Sequence, residues 1–103
     1  MTIYEKGLPQ NSANFTPLSP LSLLRRAASI YPDKTAVIHH QRRLTWGEVF
    51  HRCQRVASAL TKRGIGKGDT VAILSANTPE MFEAHFAVPM AGAVLNAINM
   101  RLD

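Results

Sequence analysis

Short β-branched runs alternate along this chain with longer segments of helical period, and that order admits few architectures. Thr35-Ala36-Val37-Ile38-His39, Thr70-Val71-Ala72-Ile73-Leu74 and Ala93-Val94-Leu95-Asn96-Ala97-Ile98 each have strand length and strand composition. After the first of them, polar Gln41-Arg42-Arg43 is expected to turn the chain and let Leu44 pair back as a hairpin. The order helix, strand or hairpin, helix, strand, helix, strand predicts an α/β fold. Its sheet should be partial, largely parallel and flanked by helices, with right-handed crossovers. Thr70–Leu74 reads as a buried strand, yet a parallel sheet buried on both faces needs more covering than 103 residues supply. The chain is therefore expected to be a piece of a larger domain.

The helix boundaries are marked by capping chemistry. Ser19-Pro20 is a start signal, because the serine oxygen accepts a free backbone N–H and proline fits the first helical position. Leu21, Leu24, Ala27, Ala28 and Tyr31 then share one face, Arg25, Arg26, Ser22 and Ser29 lie opposite, and Pro32 stops the helix. Thr45-Trp46-Gly47-Glu48 has the pattern of a capping box, in which threonine and glutamate each satisfy a backbone N–H. From there Trp46, Val49, Phe50, Cys53, Val56, Ala57 and Leu60 fall on one face, with His51, Arg52, Arg55 and Lys62 outside it. Gly64 supplies a left-handed exit. Asn77-Thr78-Pro79-Glu80 opens a third helix through Met81, Phe82, Phe86 and Val88, apolar enough to be buried on several sides, and Pro89 should kink or end it.

Composition bounds the function classes. A hydrophobic content of 46% suits a packed core, and no apolar stretch has the length of a membrane span. Met1 to Thr16 is mixed and polar, unlike a secretory signal, and Asn11, Ser12, Asn14 and two prolines make residues 1–17 an extended lead-in. A single cysteine, Cys53, forms no internal disulfide, which points to a reducing compartment and a cytoplasmic protein. The net charge of +5 comes from pairs (Arg25 and Arg26, Arg42 and Arg43, Lys62 and Arg63) spread over separate elements, as on an ordinary solvated surface.

Candidate chemical groups are few. Gly64-Ile65-Gly66-Lys67-Gly68 has the look of a phosphate loop, but it follows a helix and precedes a strand, so its N–H groups are not at a helix N-terminus. A structural turn is the better reading. His51 and Cys53 are two residues apart, roughly 200° around a helix axis, and cannot close on one metal ion. Cys53 reads as core, and His39 and His40 should point to opposite faces of a strand. His85, among Met81, Phe82 and Pro89, reads as a hydrogen-bonded core histidine. No catalytic residue and no metal ligand is assigned.

Three stretches carry a resemblance. Pro32-Asp33-Lys34-Thr35-Ala36-Val37 precedes Leu44-Thr45-Trp46-Gly47-Glu48-Val49, which is similar to the Leu-Thr-Tyr-x-Glu-Leu core motif of the adenylate-forming superfamily, with Trp46 in place of tyrosine. Gly68-Asp69-Thr70-Val71-Ala72-Ile73, running through Asn77 to Ala91-Gly92-Ala93-Val94, resembles that superfamily's second core region. Order and spacing agree from Pro17 to Asp103. Asn14–Pro20 and His85–Asn96 look like the medium-chain and fatty-acid branch of the AMP-forming acyl-CoA synthetases.

The resemblance implies that residues 18–103 are the truncated N-terminal part of an AMP-binding adenylation domain. The intact enzyme would use ATP, Mg2+ and CoA to turn a carboxylic acid into an acyl-adenylate and then a thioester. The superfamily's phosphate loop, magnesium glutamate, ribose-binding aspartate and catalytic lysine all fall later, so the 103-residue chain is expected to be inactive and to bind none of these tightly. One position is carried over. Arg101, in Asn99-Met100-Arg101-Leu102, matches a turn whose arginine approaches CoA phosphates in some CoA ligases.

Partners expected of the intact enzyme are the acid and CoA, with neither nucleic acid nor a membrane span. Self-association through an exposed sheet edge or the apolar third helix is a further expectation. Two other classes remain open: a non-catalytic interaction subunit, and a small basic module binding nucleic acid through Arg52, Arg55 and Lys62.

Overall fold

The computed structural model describes residues 2–3, 6–7 and 9–101. Its elements run α1 (Pro20–Ile30), β1 (Thr35–His39), β2 (Arg42–Thr45), α2 (Trp46–Lys62), β3 (Thr70–Leu74), α3 (Pro79–Met90) and β4 (Val94–Ile98). The predicted order holds, with the hairpin form of its second step. The strands make two separate ladders rather than one sheet: β1 and β2 pair antiparallel, β3 and β4 parallel. Residues 9–17 are not wholly extended, since Asn11 and Asn14 build a turn in which Phe15 N–H donates to the Asn11 carbonyl at 3.0 Å.

Each helix starts as its sequence signal predicts. Ser19 Oγ accepts from Leu21 N–H at 3.2 Å, Thr45 Oγ1 from Glu48 N–H at 3.1 Å, and Thr78 Oγ1 from Met81 N–H at 3.3 Å. The α2 start also draws on a distant segment. Trp46 N–H donates to the Lys34 carbonyl and Gly47 N–H to the Pro32 carbonyl, both at 3.0 Å. The first three donors of α2 thus have named acceptors, which ties Pro32–Lys34 physically to the Thr45–Glu48 motif. A Cβ at Gly47 would lie 3.2 Å from the Pro32 carbonyl oxygen, so this close approach favours glycine. The second arm of the predicted capping box differs: Glu48 Oε1 accepts from the Thr45 hydroxyl at 3.2 Å instead of from a backbone N–H.

The helix ends share one device. At the end of α2, Gly64 N–H donates to the Thr61 carbonyl and Ile65 N–H to the Leu60 carbonyl. At the end of α3, Gly92 N–H donates to the Pro89 carbonyl and Ala93 N–H to the Val88 carbonyl. Both are Schellman turns, and each glycine takes the left-handed backbone (φ 82° and 85°) that the turn requires. Pro89 therefore sits within the last turn of α3, and Gly92 terminates the helix.

The hairpin turn is displaced from its expected place. Arg42 and Arg43 belong to β2, and His40 with Gln41 form the two-residue loop, His40 adopting φ 55°. His40 consequently leaves the strand, and its ring lies 4.3 Å from that of His39 rather than on the opposite face.

The core gathers on α2. Val49 and Cys53 of α2 are fully enclosed by Leu24 of α1, Leu44 of β2 and Ala87 of α3, with Trp46, Phe50, Phe82 and Phe86 packed around them. Burial raises the Cys53 thiol to about 11, and its Sγ lies 3.6 Å from the Glu83 carbonyl oxygen, as befits a core cysteine. Two residues assigned to buried faces are exposed. Val56 is 42% exposed at the open cleft between α2 and the β3–β4 ladder, and Tyr31 is the C-cap of α1, where the Lys34 ammonium rests 4.5 Å from its ring. The β3–β4 ladder is covered on one side only. Val71, Ile73 and Leu95 are half-buried, whereas Leu74 and Val94 on the other face are 66% and 61% exposed. The sequence expectation of a buried β3 is corrected accordingly. Among the described residues no helix is long and apolar enough to cross a membrane.

Candidate functional site

Two parallel strands carry their C-terminal ends to the same edge, and ligands of open α/β sheets bind beyond such an edge. Here β3 leads into Ser75-Ala76-Asn77, β4 leads into Asn99-Met100-Arg101, and an open cleft of about 670 Å³ lies between the two segments. Met81 and His85, one turn apart on α3, form its third wall.

Arg101 borders this cleft. Its backbone N–H donates to Asn99 Oδ1 at 2.9 Å, an Asx turn that fixes the chain just past β4. Among the described residues no carboxylate pairs with its guanidinium. Its guanidinium is a permanently charged fork of N–H donors. Leu102, the last residue of the matching turn, lies outside the described residues.

His85 departs from expectation in one respect. It is exposed rather than part of the core, and its Nδ1 lies 2.8 Å from the Met81 carbonyl oxygen. Its ring stands on the ridge between the strand-end cleft and a second one, of about 690 Å³, whose walls are apolar Val37, Ile38, Phe82 and Phe86. Asn77 borders both clefts as well.

The glycine-rich segment takes no part in the cleft. Gly66 N–H already donates to Asp69 Oδ2 at 2.9 Å, and Asp69 N–H returns to the Gly66 carbonyl at 3.0 Å, so the segment is a closed turn between α2 and β3. Among the described residues no three His, Cys, Asp or Glu side chains stand together as a metal site. The groups brought to the strand ends are an arginine, an imidazole, amides and a hydroxyl.

A charged cluster escaped the sequence reading. Glu83 of α3 is buried, 3% exposed, and accepts from Arg52 Nε at 2.6 Å. Glu80 accepts from Arg42 Nη1 at 2.9 Å and lies 3.5 Å from Arg52 Nη2. The hydrogen bond to Glu83 raises the Arg52 pKa further, and the bond from Arg42 lowers that of Glu80. Arg52 is thus half-buried and committed to α3, which removes it from the basic face it was expected to share with Arg55 and Lys62. Sequence spacing offers no signal for contacts between residues 28 to 38 positions apart.

The decisive finding is a match of residues 24–103 to the model of the AMP-binding enzyme family. The chain belongs to that family. Among AMP-binding relatives, an acetate–CoA ligase of Humulus lupulus is 54% identical over 96 residues, which are 93% of this chain and 17% of that protein. A putative long-chain-fatty-acid CoA ligase of Rhodopseudomonas palustris superposes with a TM-score of 0.76 at 42% identity, over 81% of this chain and 21% of that one. O-succinylbenzoate coenzyme A synthetase of Bacillus subtilis, solved with ATP and magnesium ion, gives 0.71 at 31% identity, over 78% and 22%. The chain therefore spans about a sixth of the length of the curated AMP-binding ligase it matches. Its mixed α/β fold is that of the opening part of such ligases.

Proposed function

We propose that this chain is the opening segment of an ATP-dependent acyl-CoA ligase. Residues 18–103 form the first part of its adenylation domain and residues 1–17 a lead-in. The ligase joins a carboxylic acid to ATP, releasing pyrophosphate and forming an acyl-adenylate. The CoA thiol then displaces AMP to give the thioester. The reading rests above all on identity with a CoA ligase along nearly the whole chain.

The segment's own share in this reaction is binding. Charge concentrated on phosphorus during adenylate formation needs positioned cations and donors. Here the described residues offer one free arginine at the strand ends and no carboxylate set for magnesium. The 103 residues alone are read as inactive because the resemblance puts the superfamily's phosphate loop, magnesium glutamate and catalytic lysine in later segments. Arg101 fits the phosphates of CoA, which a fork of charged donors holds well.

For the acid, we propose a medium-chain aliphatic one, from the resemblance of Asn14–Pro20 and His85–Asn96 to the fatty-acid branch. Matched ligases are named for acetate, long-chain fatty acids and O-succinylbenzoate, so the acid needs direct assay. The test is to read the coding sequence beyond Asp103 and to assay the encoded protein for AMP release with acetate, octanoate and benzoate. Octanoate-dependent AMP and octanoyl-CoA are expected. A stop codon after Asp103, or AMP release independent of any carboxylate, would overturn the reading. Arg101→Ala should raise the KM for CoA about tenfold while leaving acid-dependent pyrophosphate release unchanged.

A further inference from the structure

We propose that His85 is the second ligand-holding group of the Arg101 cleft, its Nε2 accepting from an N–H of the same phosphate-bearing ligand. This rests on the reading of Arg101 as a contact for CoA phosphates. The argument begins with a hydrogen. The carbonyl oxygen of Met81 can only accept, so the 2.8 Å contact with His85 Nδ1 is a hydrogen bond only when Nδ1 carries the proton. The neutral ring is then the tautomer whose other nitrogen, Nε2, keeps its lone pair.

Nδ1 is committed to the Met81 carbonyl and His85 borders the cleft, so Nε2 is the ring nitrogen left for a ligand there. Arg101 at the same cleft has only donors to offer. The two together read a ligand that carries both an anion and an N–H. Free phosphate would leave the imidazole nitrogen unused. A phosphate ester joined to amide or aminopurine N–H groups engages both, and CoA has each of these in one molecule. Asn77, on the wall beside His85, adds an amide that can donate or accept.

The fixed tautomer and the shared ligand are both readable by nitrogen-15 NMR on the intact encoded ligase, labelled at histidine and arginine. Without ligand, His85 should show a protonated Nδ1 and a bare Nε2. CoA at millimolar concentration should then shift His85 Nε2 and the Arg101 guanidinium together. Inorganic phosphate should move only Arg101. Pantetheine and adenosine 3′,5′-bisphosphate, added separately, tell whether the N–H comes from the amides or from the purine. His85→Phe keeps an aromatic ring without the acceptor and should weaken CoA binding about fivefold, with His85→Gln in between.

If CoA moves Arg101 while His85 stays still and His85→Phe binds equally, the role of His85 falls and Arg101 keeps its own. A His85 shift with inorganic phosphate, or the opposite tautomer, would also overturn the proposal, because the ring would then be a donor. If neither residue responds to CoA, both assignments fall.

Discussion

The helical layer around α2 and the β3–β4 ladder are equally regular, but their residues are partnered to very different degrees. In the first, Val49 and Cys53 touch no solvent, the opening donors of α2 have acceptors, and even the charged Arg52 and Glu83 are joined. In the second, strand pairing is complete over five residues, yet one face presents Leu74, Val94 and Ile98 to solvent. Parallel ladders are normally covered on both faces. The difference teaches that hydrogen bonding and burial are separate requirements. The ladder meets the first, and among the described residues nothing covers its outer face.

Substitutions should expose that asymmetry. The largest effect is expected at Glu83: Glu83→Ala leaves Arg52 without its buried partner and should cost about 3 kcal/mol in denaturant unfolding. Pairing Arg52→Leu with Glu83→Met should recover most of that loss. Cys53 predicts a pH dependence. Its folded value of about 11 lies above the unfolded 9.0, so its contribution is full below pH 9 and is lost as the pH rises through 11. The loss should be on the order of 2 kcal/mol, and native Cys53 should resist thiol reagents until the chain unfolds.

Val49→Ala removes two enclosed methyl groups and should cost about 2 kcal/mol. Thr45→Ala removes the α2 cap and should cost about 1 kcal/mol, read from the thermal midpoint. Leu74→Ala should change stability by no more than about 0.5 kcal/mol, because its side chain touches little, while reducing self-association at high concentration. A cost at Leu74 equal to that at Val49 would erase the distinction between the two regions.

What the sequence revealed follows from the range of each signal. Caps and helix exits are local, so Ser19, Thr45, Thr78 and Gly64 could be read from neighbouring residues. Placing Arg101 at a strand end needed only the order of elements and the matching turn. The hairpin turn was placed too late, over Gln41 to Arg43 instead of His40 and Gln41, because a histidine, not a glycine or asparagine, takes the left-handed position at His40. Tyr31 looked buried because helical period says nothing about where the helix stops. The acceptors at Pro32 and Lys34, the Arg52–Glu83 pair and the meeting of His85 with Arg101 in one cleft depend on how elements pack, which no spacing along the chain encodes.

Amide hydrogen exchange on the 103-residue chain compares the two regions most directly. The amides of Cys53 to Ala57 should exchange only through global unfolding, and those of β3 and β4 at least about a hundredfold faster, through local opening. Equal protection of the two would contradict the account, since the ladder would then be as stable without a covered outer face as the core is with its enclosure.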